Sequence, residues 1–119
     1  MGILIVDDDF AIRDSLSQLL EGEGFQVSSV ADGQEALNYL LQSPERPCLI
    51  LLDLMMPGVD GWHFRHRQKQ YPAFASIPVA IISAHPNFRS QATTLDAQGY
   101  IDKPIDIDAL FEIVARYCV

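Results

Sequence analysis

Several polar residues stand where apolar runs stop, and their types suit chemistry on a phosphoryl group. Asp7, Asp8 and Asp9 follow Ile3-Leu4-Ile5-Val6, and Asp53 follows Leu49-Ile50-Leu51-Leu52. Ser83 comes after the run from Pro78 to Ile82, and Asp102-Lys103-Pro104 after Tyr100-Ile101. Carboxylates held close together repel unless protons or a cation neutralise them, and an all-oxygen set suits a hard ion such as Mg²⁺ that keeps part of its water shell. A lysine on the same rim adds a compact positive charge, and a serine hydroxyl donates to a phosphoryl oxygen. Around a carboxylate nucleophile, these groups supply the positioning and charge neutralisation that phosphoryl transfer demands. Asp53 is the expected nucleophile, because it sits directly on a run that has no polar residue.

For these residues to meet, the apolar runs must be neighbouring strands. The chain alternates such runs with segments of helical period: Ile12, Leu16, Leu19 and Leu20 share one face of a first helix that Gly24 would end. A strand from Phe25 to Val30 mixes in polar residues, as a half-exposed edge does. Asp32 and Glu35 then mark a helix start, with Ala36, Leu37, Leu40 and Leu41 turned inward. Pro44 and Pro47 bracket a turn before Leu49 to Leu52, which reads as a central strand covered on both faces. The remaining pattern predicts a helix over Gly61 to Gln70, a strand over Pro78 to Ile82, a helix over Phe88 to Leu95, a strand at Tyr100 to Ile101 and a last helix from Ile107 to Tyr117. The expectation is an α/β fold of five βα units, a doubly wound parallel sheet with helices on both faces. In such sheets the site lies beyond the carboxyl ends of the strands, where strand order reverses. Asp7, Asp8 and Asp53 converge there if the first and third strands are adjacent.

Composition narrows the function classes. A chain of 119 residues with 49% hydrophobic residues can bury the core of one domain, here read as residues 1–119. Eight basic against 16 acidic residues give a formal net charge of −8, which disfavours direct contact with nucleic acid or anionic membranes. No apolar run is long enough to span a bilayer, no basic stretch precedes the first apolar run, and Val6 stands where a myristoylation motif wants Ser or Thr. Cys48 and Cys118 have no metal-type spacing and read as two reduced thiols, which leads to a cytoplasmic expectation.

Four stretches in this order resemble the CheY-like receiver domains of two-component response regulators: Ile3 to Asp9, Leu52 to Gly58 continuing to Asp60-Gly61, Ile82-Ser83-Ala84, and Gly99 to Pro104. The resemblance covers essentially the whole chain and implies the strand order 2-1-3-4-5. It makes Asp53 the phosphoacceptor, Asp7 and Asp8 the acidic metal site together with Asp53, and Met55 a metal ligand through its backbone carbonyl. The implied cofactor is Mg²⁺, with Mn²⁺ as a substitute. Ser83 and Lys103 become the phosphate-contacting pair, and Pro104 the proline that follows the lysine through a cis bond. Tyr100 becomes the aromatic that turns inward when Ser83 moves toward the phosphoryl group.

The implied donor is a sensor histidine kinase or a histidine phosphotransfer protein, docking near Phe10, Ala11, Pro104 and Ile105. The implied output is an unidentified protein or attached domain, reached by a monomer or by a dimer formed on phosphorylation. Such a protein catalyses its own phosphorylation and slow dephosphorylation and is not a turnover enzyme. Asp96 departs from the family pattern, in which a glycine often stands there, and the segment between Ser83 and Lys103 is slightly short. His63 replaces a common acidic residue, while Met55 and His85 occupy variable positions bordering the phosphate.

Plainer readings stand beside these. An aspartate after a strand is often a helix cap, the reading given to Asp9, and Tyr100 alone reads as strand packing. His63 and His66 are one turn apart, but Arg65, Arg67 and Lys69 beside them point to a solvated face rather than a metal site. Trp62 reads as packed against the helix layer. A haloacid-dehalogenase-like phosphohydrolase is the rival enzyme, although its nucleophile follows the first strand as Asp-x-Asp-x-Thr/Val, and Ala11 fills the last place here. A phosphorylation-independent receiver or a flavodoxin-like cofactor binder is the rival binding module; the acidic first loop suits a phosphate-bearing cofactor poorly.

Overall fold

The computed structural model describes residues 2–43, 45–54, 60–84 and 96–118. Its elements are β1 (Gly2–Val6), α1 (Phe10–Gly22), β2 (Gln26–Val30), α2 (Gly33–Gln42), β3 (Leu49–Asp53), α3 (Gly61–Lys69), β4 (Val79–Ser83), β5 (Gly99–Asp102) and α4 (Ile107–Tyr117). The strands form one parallel sheet in the order β2-β1-β3-β4-β5. The helix expected over residues 88–95, and with it Met55 and His85, lies outside the described residues.

Burial explains the strand compositions. Every residue of β3 and β4 is buried, whereas β2 at the edge is exposed or half-buried along its length. Residues alternate across the sheet, so each face takes its own core. On one face Leu4, Val6, Ile50, Leu52, Val79 and Ile81 pack with Ala36, Leu37 and Leu40 of α2 and Phe64 of α3. Trp62 packs against this core as a half-buried side chain. On the other face Ile3, Ile5, Leu49, Leu51, Ala80 and Ile82 pack with Leu16 and Leu20 of α1 and Leu110 and Val114 of α4.

Each described helix starts at an aspartate whose carboxylate accepts from backbone N–H groups of its first turn: Asp9, Asp32, Asp60 and Asp106. These caps satisfy donors that have no partner within the helix. Past the end of α1, Gly24 takes φ 94°, and bonds from Gly24 N to Glu21 O and from Phe25 N to Leu20 O close the helix in a Schellman motif.

Three sequence expectations are corrected. Cys48 and Cys118 are joined in a disulfide rather than being separate thiols, because β3 and the end of α4 bring their Cα atoms to 5.3 Å. The compartment argument built on reduced thiols falls with them; what stands is that no described helix is long and apolar enough to cross a membrane. Arg65 is 2% exposed rather than solvated, since it shares the inward stripe of Gly61, Phe64 and Gln68. Leu41 is 55% exposed, because it sits at the end of α2 and a quarter turn from the centre of the stripe formed by Gly33, Ala36, Leu37 and Leu40.

Candidate functional site

β1 and β3 are adjacent and parallel, with Val6 paired to Leu52, so the residues that follow each strand emerge side by side. Asp7 and Asp53 are buried there and Asp8 is exposed. One carboxylate oxygen from each of Asp7, Asp8 and Asp53 lies within 4.8 Å of the others. Local bonds hold Asp7 in place: its Oδ1 accepts from Asp9 N at 2.9 Å, and its carbonyl accepts from Arg13 Nη1 at 2.7 Å.

Lys103 reaches the same pocket from beyond β5. Its Nζ lies 3.0 Å from Asp7 Oδ2 and 3.7 Å from Asp53 Oδ2. Burial pulls the lysine pKa down, but the short contact with Asp7 and the charges of Asp53, Asp7 and Asp8 outweigh it and leave the value raised. The ammonium therefore stays charged at neutral pH. Lys103 N also donates to Ser83 O at 3.1 Å, which fixes the lysine against the end of β4, and the Lys103–Pro104 peptide bond is cis.

Asp7 Oδ2 is buried and, despite its ionic contact with Lys103, has no aligned hydrogen bond among the described residues. Three carboxylates gathered within 4.8 Å, with a single lysine ammonium among them, fit a hard divalent cation, which would take oxygens of Asp7, Asp8 and Asp53 as ligands. Met55, expected to contribute its carbonyl, lies outside the described residues.

Ser83 ends β4 and is buried, paired in register with Asp102 while Asp53 is paired with Ile82. Its hydroxyl-bearing position is thus one strand away from the acidic pocket. Tyr100 lies in β5 opposite Ile81 and is 43% exposed.

The expected docking residues are only partly gathered. Ala11, Pro104 and Ile105 line a groove of about 400 Å³ between α1 and the start of α4, and Lys103 is among its other lining residues. Phe10, the first residue of α1, is exposed, with the Arg13 guanidinium 5.6 Å from its ring centroid, and does not line the groove. Ser15, Leu19 and Ile107 do line it, and the sequence reading had not assigned them this place. The partial exposure of Leu19 and Ile107 on otherwise amphipathic helices is the signal that locates them.

Gly61 is a further positioning residue. A Cβ there would come within 2.8 Å of Asp53 O and Leu54 Cα, so glycine alone lets α3 abut the backbone that carries Asp53. Away from the pocket, His63 pairs with Asp60 at 2.9 Å and His66 approaches Gln70 at 3.3 Å, so the two histidines form no shared site.

A family model described as response regulator receiver domain matches residues 3–115. Sporulation initiation phosphotransferase F of Bacillus subtilis is 36% identical over 117 residues, which cover 97% of this chain and 91% of the relative. Response regulator Rre1 of Synechocystis is 34% identical over 96% of this chain, which spans 50% of that relative's length. The chain therefore matches some curated relatives nearly end to end and only half of others. Among solved structures, chemotaxis protein CheY4 of Vibrio cholerae superposes with TM-score 0.87 at 26% identity, covering 98% of this chain and 97% of that one. The signal receiver domain of a histidine kinase from Syntrophus aciditrophicus gives TM-score 0.87 at 31% identity, covering 98% and 88%.

Proposed function

The chain belongs to the family of response regulator receiver domains of two-component systems, and on that premise we propose that it takes a phosphoryl group onto Asp53 from a phosphohistidine donor. The observation that carries this reading is the pocket itself: a buried carboxylate on the central strand, two further carboxylates within 4.8 Å, and a charged lysine 3.7 Å away. An Asp53 oxygen attacks phosphorus, the new P–O bond forms as the P–N bond to the donor imidazole breaks, and the imidazole leaves with a proton.

Lys103 balances charge as it builds on the phosphoryl oxygens, and Ser83 offers its hydroxyl to one of them. Mg²⁺, held by Asp7, Asp8, Asp53 and the Met55 carbonyl, would neutralise the acids and the incoming phosphoryl group. Mn²⁺, another oxygen-liking divalent ion, would serve as a substitute. On phosphorylation Ser83 moves toward Asp53 and Tyr100 turns inward, which changes the face near β5 and α4. The protein is a switch that modifies itself, consistent with the family's role as phosphoacceptor.

The donor, a sensor histidine kinase or a phosphotransfer protein, docks in the α1–α4 groove, whose lining combines apolar side chains with Lys103. The whole chain acts as one receiver unit, monomeric or dimerising on phosphorylation, in the cytoplasm, where such kinases present their phosphohistidine. It signals to a protein or attached domain still to be identified.

Intact mass after incubation with acetyl phosphate tests the reading. One phosphoryl group should be gained with Mg²⁺ and not without it, and the Asp53→Asn variant should gain none. Uptake by that variant equal to the parent's would sink the assignment of Asp53.

A further inference from the structure

We propose that Cys48 and Cys118 form a reversible dithiol–disulfide switch that clamps the C-terminal end of α4 to the start of β3. The phosphoryl chemistry does not use this pair, which lies at the opposite end of both elements. β3 starts beside Cys48 and ends at Asp53, while α4 starts just past Lys103-Pro104 and ends at Tyr117, next to Cys118. With a rise of about 3.3 Å per strand residue and 1.5 Å per helix residue, each element spans roughly 16 Å. The disulfide thus ties strand and helix at their far ends, while at the pocket end Lys103, in the segment leading into α4, faces Asp53.

Two features suit a bond that opens and closes. Cys118 is the C-cap of α4, with φ −121° and ψ 68°, so exposing its sulfur requires loosening only the last turn of the helix. Both cysteines are 6% exposed, which hides the bond from reagents until that turn frays. Cys48 Sγ also lies 3.3 Å from Gly2 O. A disulfide sulfur has no hydrogen to donate, but the reduced thiol would find an acceptor already in place, so the reduced state leaves no stranded donor. Leu110 and Val114 keep α4 on the sheet in either state, and opening frees its end without detaching the helix.

The reductant is a protein dithiol of the thioredoxin class. Its thiolate attacks Cys118 Sγ, the Cys48 sulfur leaves as a thiolate and takes up a proton, and the second thiol of the reductant then displaces Cys118. Two electrons and two protons pass to the pair, and the reductant becomes a disulfide. Oxidation by a disulfide such as oxidised glutathione reverses these steps.

The test treats the folded protein with oxidised glutathione or with dithiothreitol, counts thiols by maleimide labelling after denaturation, and follows amide hydrogen exchange and Tm. The oxidised protein should offer no thiol. Native reduction should expose two, speed exchange at Tyr117 and Cys118 on the order of tenfold, and lower Tm by roughly 10 °C. Reoxidation should restore both, and Cys118→Ser should match the reduced protein with or without reductant. Two free thiols after glutathione treatment, a bond that dithiothreitol cannot open in the folded protein, or reduction without a change in exchange would each overturn the proposal. Acetyl phosphate labelling of both forms keeps this result separate from the assignment of Asp53, since loss of labelling in both would count against that assignment and not against the clamp.

Discussion

The role proposed for Asp53 depends on its neighbours. Its side chain is buried, lies 3.7 Å from the Lys103 ammonium and shares with Asp7 and Asp8 a pocket that suits a divalent cation, the setting the proposed phosphoryl transfer needs. Less visible is what holds the Asp53 backbone still. Gly61 leaves no room for a Cβ between α3 and the Asp53–Leu54 peptide, and Gly61 N donates to Leu54 O at 3.2 Å. Gly61→Ala should therefore push that backbone aside, costing about 1–3 kcal/mol of stability and slowing acetyl phosphate labelling. Urea denaturation and the labelling rate would read the two effects, and a variant as stable and as fast as the parent would show that α3 can give way. The motif Asp60-Gly61 was legible in the sequence. The reason for its glycine was not, because a contact with Asp53 across eight residues has no local signature.

The pattern of elements was readable wherever burial imposes a period. β3 showed itself as four apolar residues before an aspartate, and α4 ran over Ile107–Tyr117 as its spacing predicted. Boundaries differed where pairing rather than composition decides them: β5 extends to Gly99 and Asp102 because Ala80 to Ser83 of β4 supply the ladder. The side of α3 was misjudged because arginines usually face water. The helical spacing of Gly61, Phe64, Arg65 and Gln68 was the available sign that one of them does not. Arg65 donates to Gln68 Oε1 at 2.8 Å and to Asp96 O at 2.7 Å, and Gln68 in turn donates to Phe74 O and Ile77 O. This network anchors the approach to β4 and the turn before β5, where Asp96 takes φ 57°. Aspartate tolerates that left-handed backbone better than most residues. Arg65→Ala would strand buried acceptors and should cost about 2–3 kcal/mol in urea denaturation. The folded variant should still label at Asp53, since the network lies at the other end of the sheet.

At the scale of the molecule, the sheet is a platform with the acidic pocket at one end and a covalent tie at the other. The site was largely legible because its parts come from strand ends, which the sequence marks by a change from apolar to charged residues. The disulfide was not, since its partners lie 70 residues apart and only the fold makes them neighbours. Recognition belongs to this scale too. The groove between α1 and α4 joins apolar side chains from two elements distant in sequence, with Lys103 among its lining residues. Placing a charge there with Ile105→Glu should slow transfer from a phosphohistidine protein by on the order of tenfold while leaving acetyl phosphate labelling near that of the parent. Equal slowing with both donors would assign Ile105 to the pocket rather than to docking.

The most direct test of the central claim is to locate the phosphoryl group. Borohydride reduces an acyl phosphate on aspartate to homoserine, so peptide mapping after Mg²⁺ and acetyl phosphate treatment reads the modified position. The account predicts homoserine at position 53 alone, dependent on Mg²⁺; homoserine at Asp7 or Asp8 in the protein with Asp53 intact would contradict it.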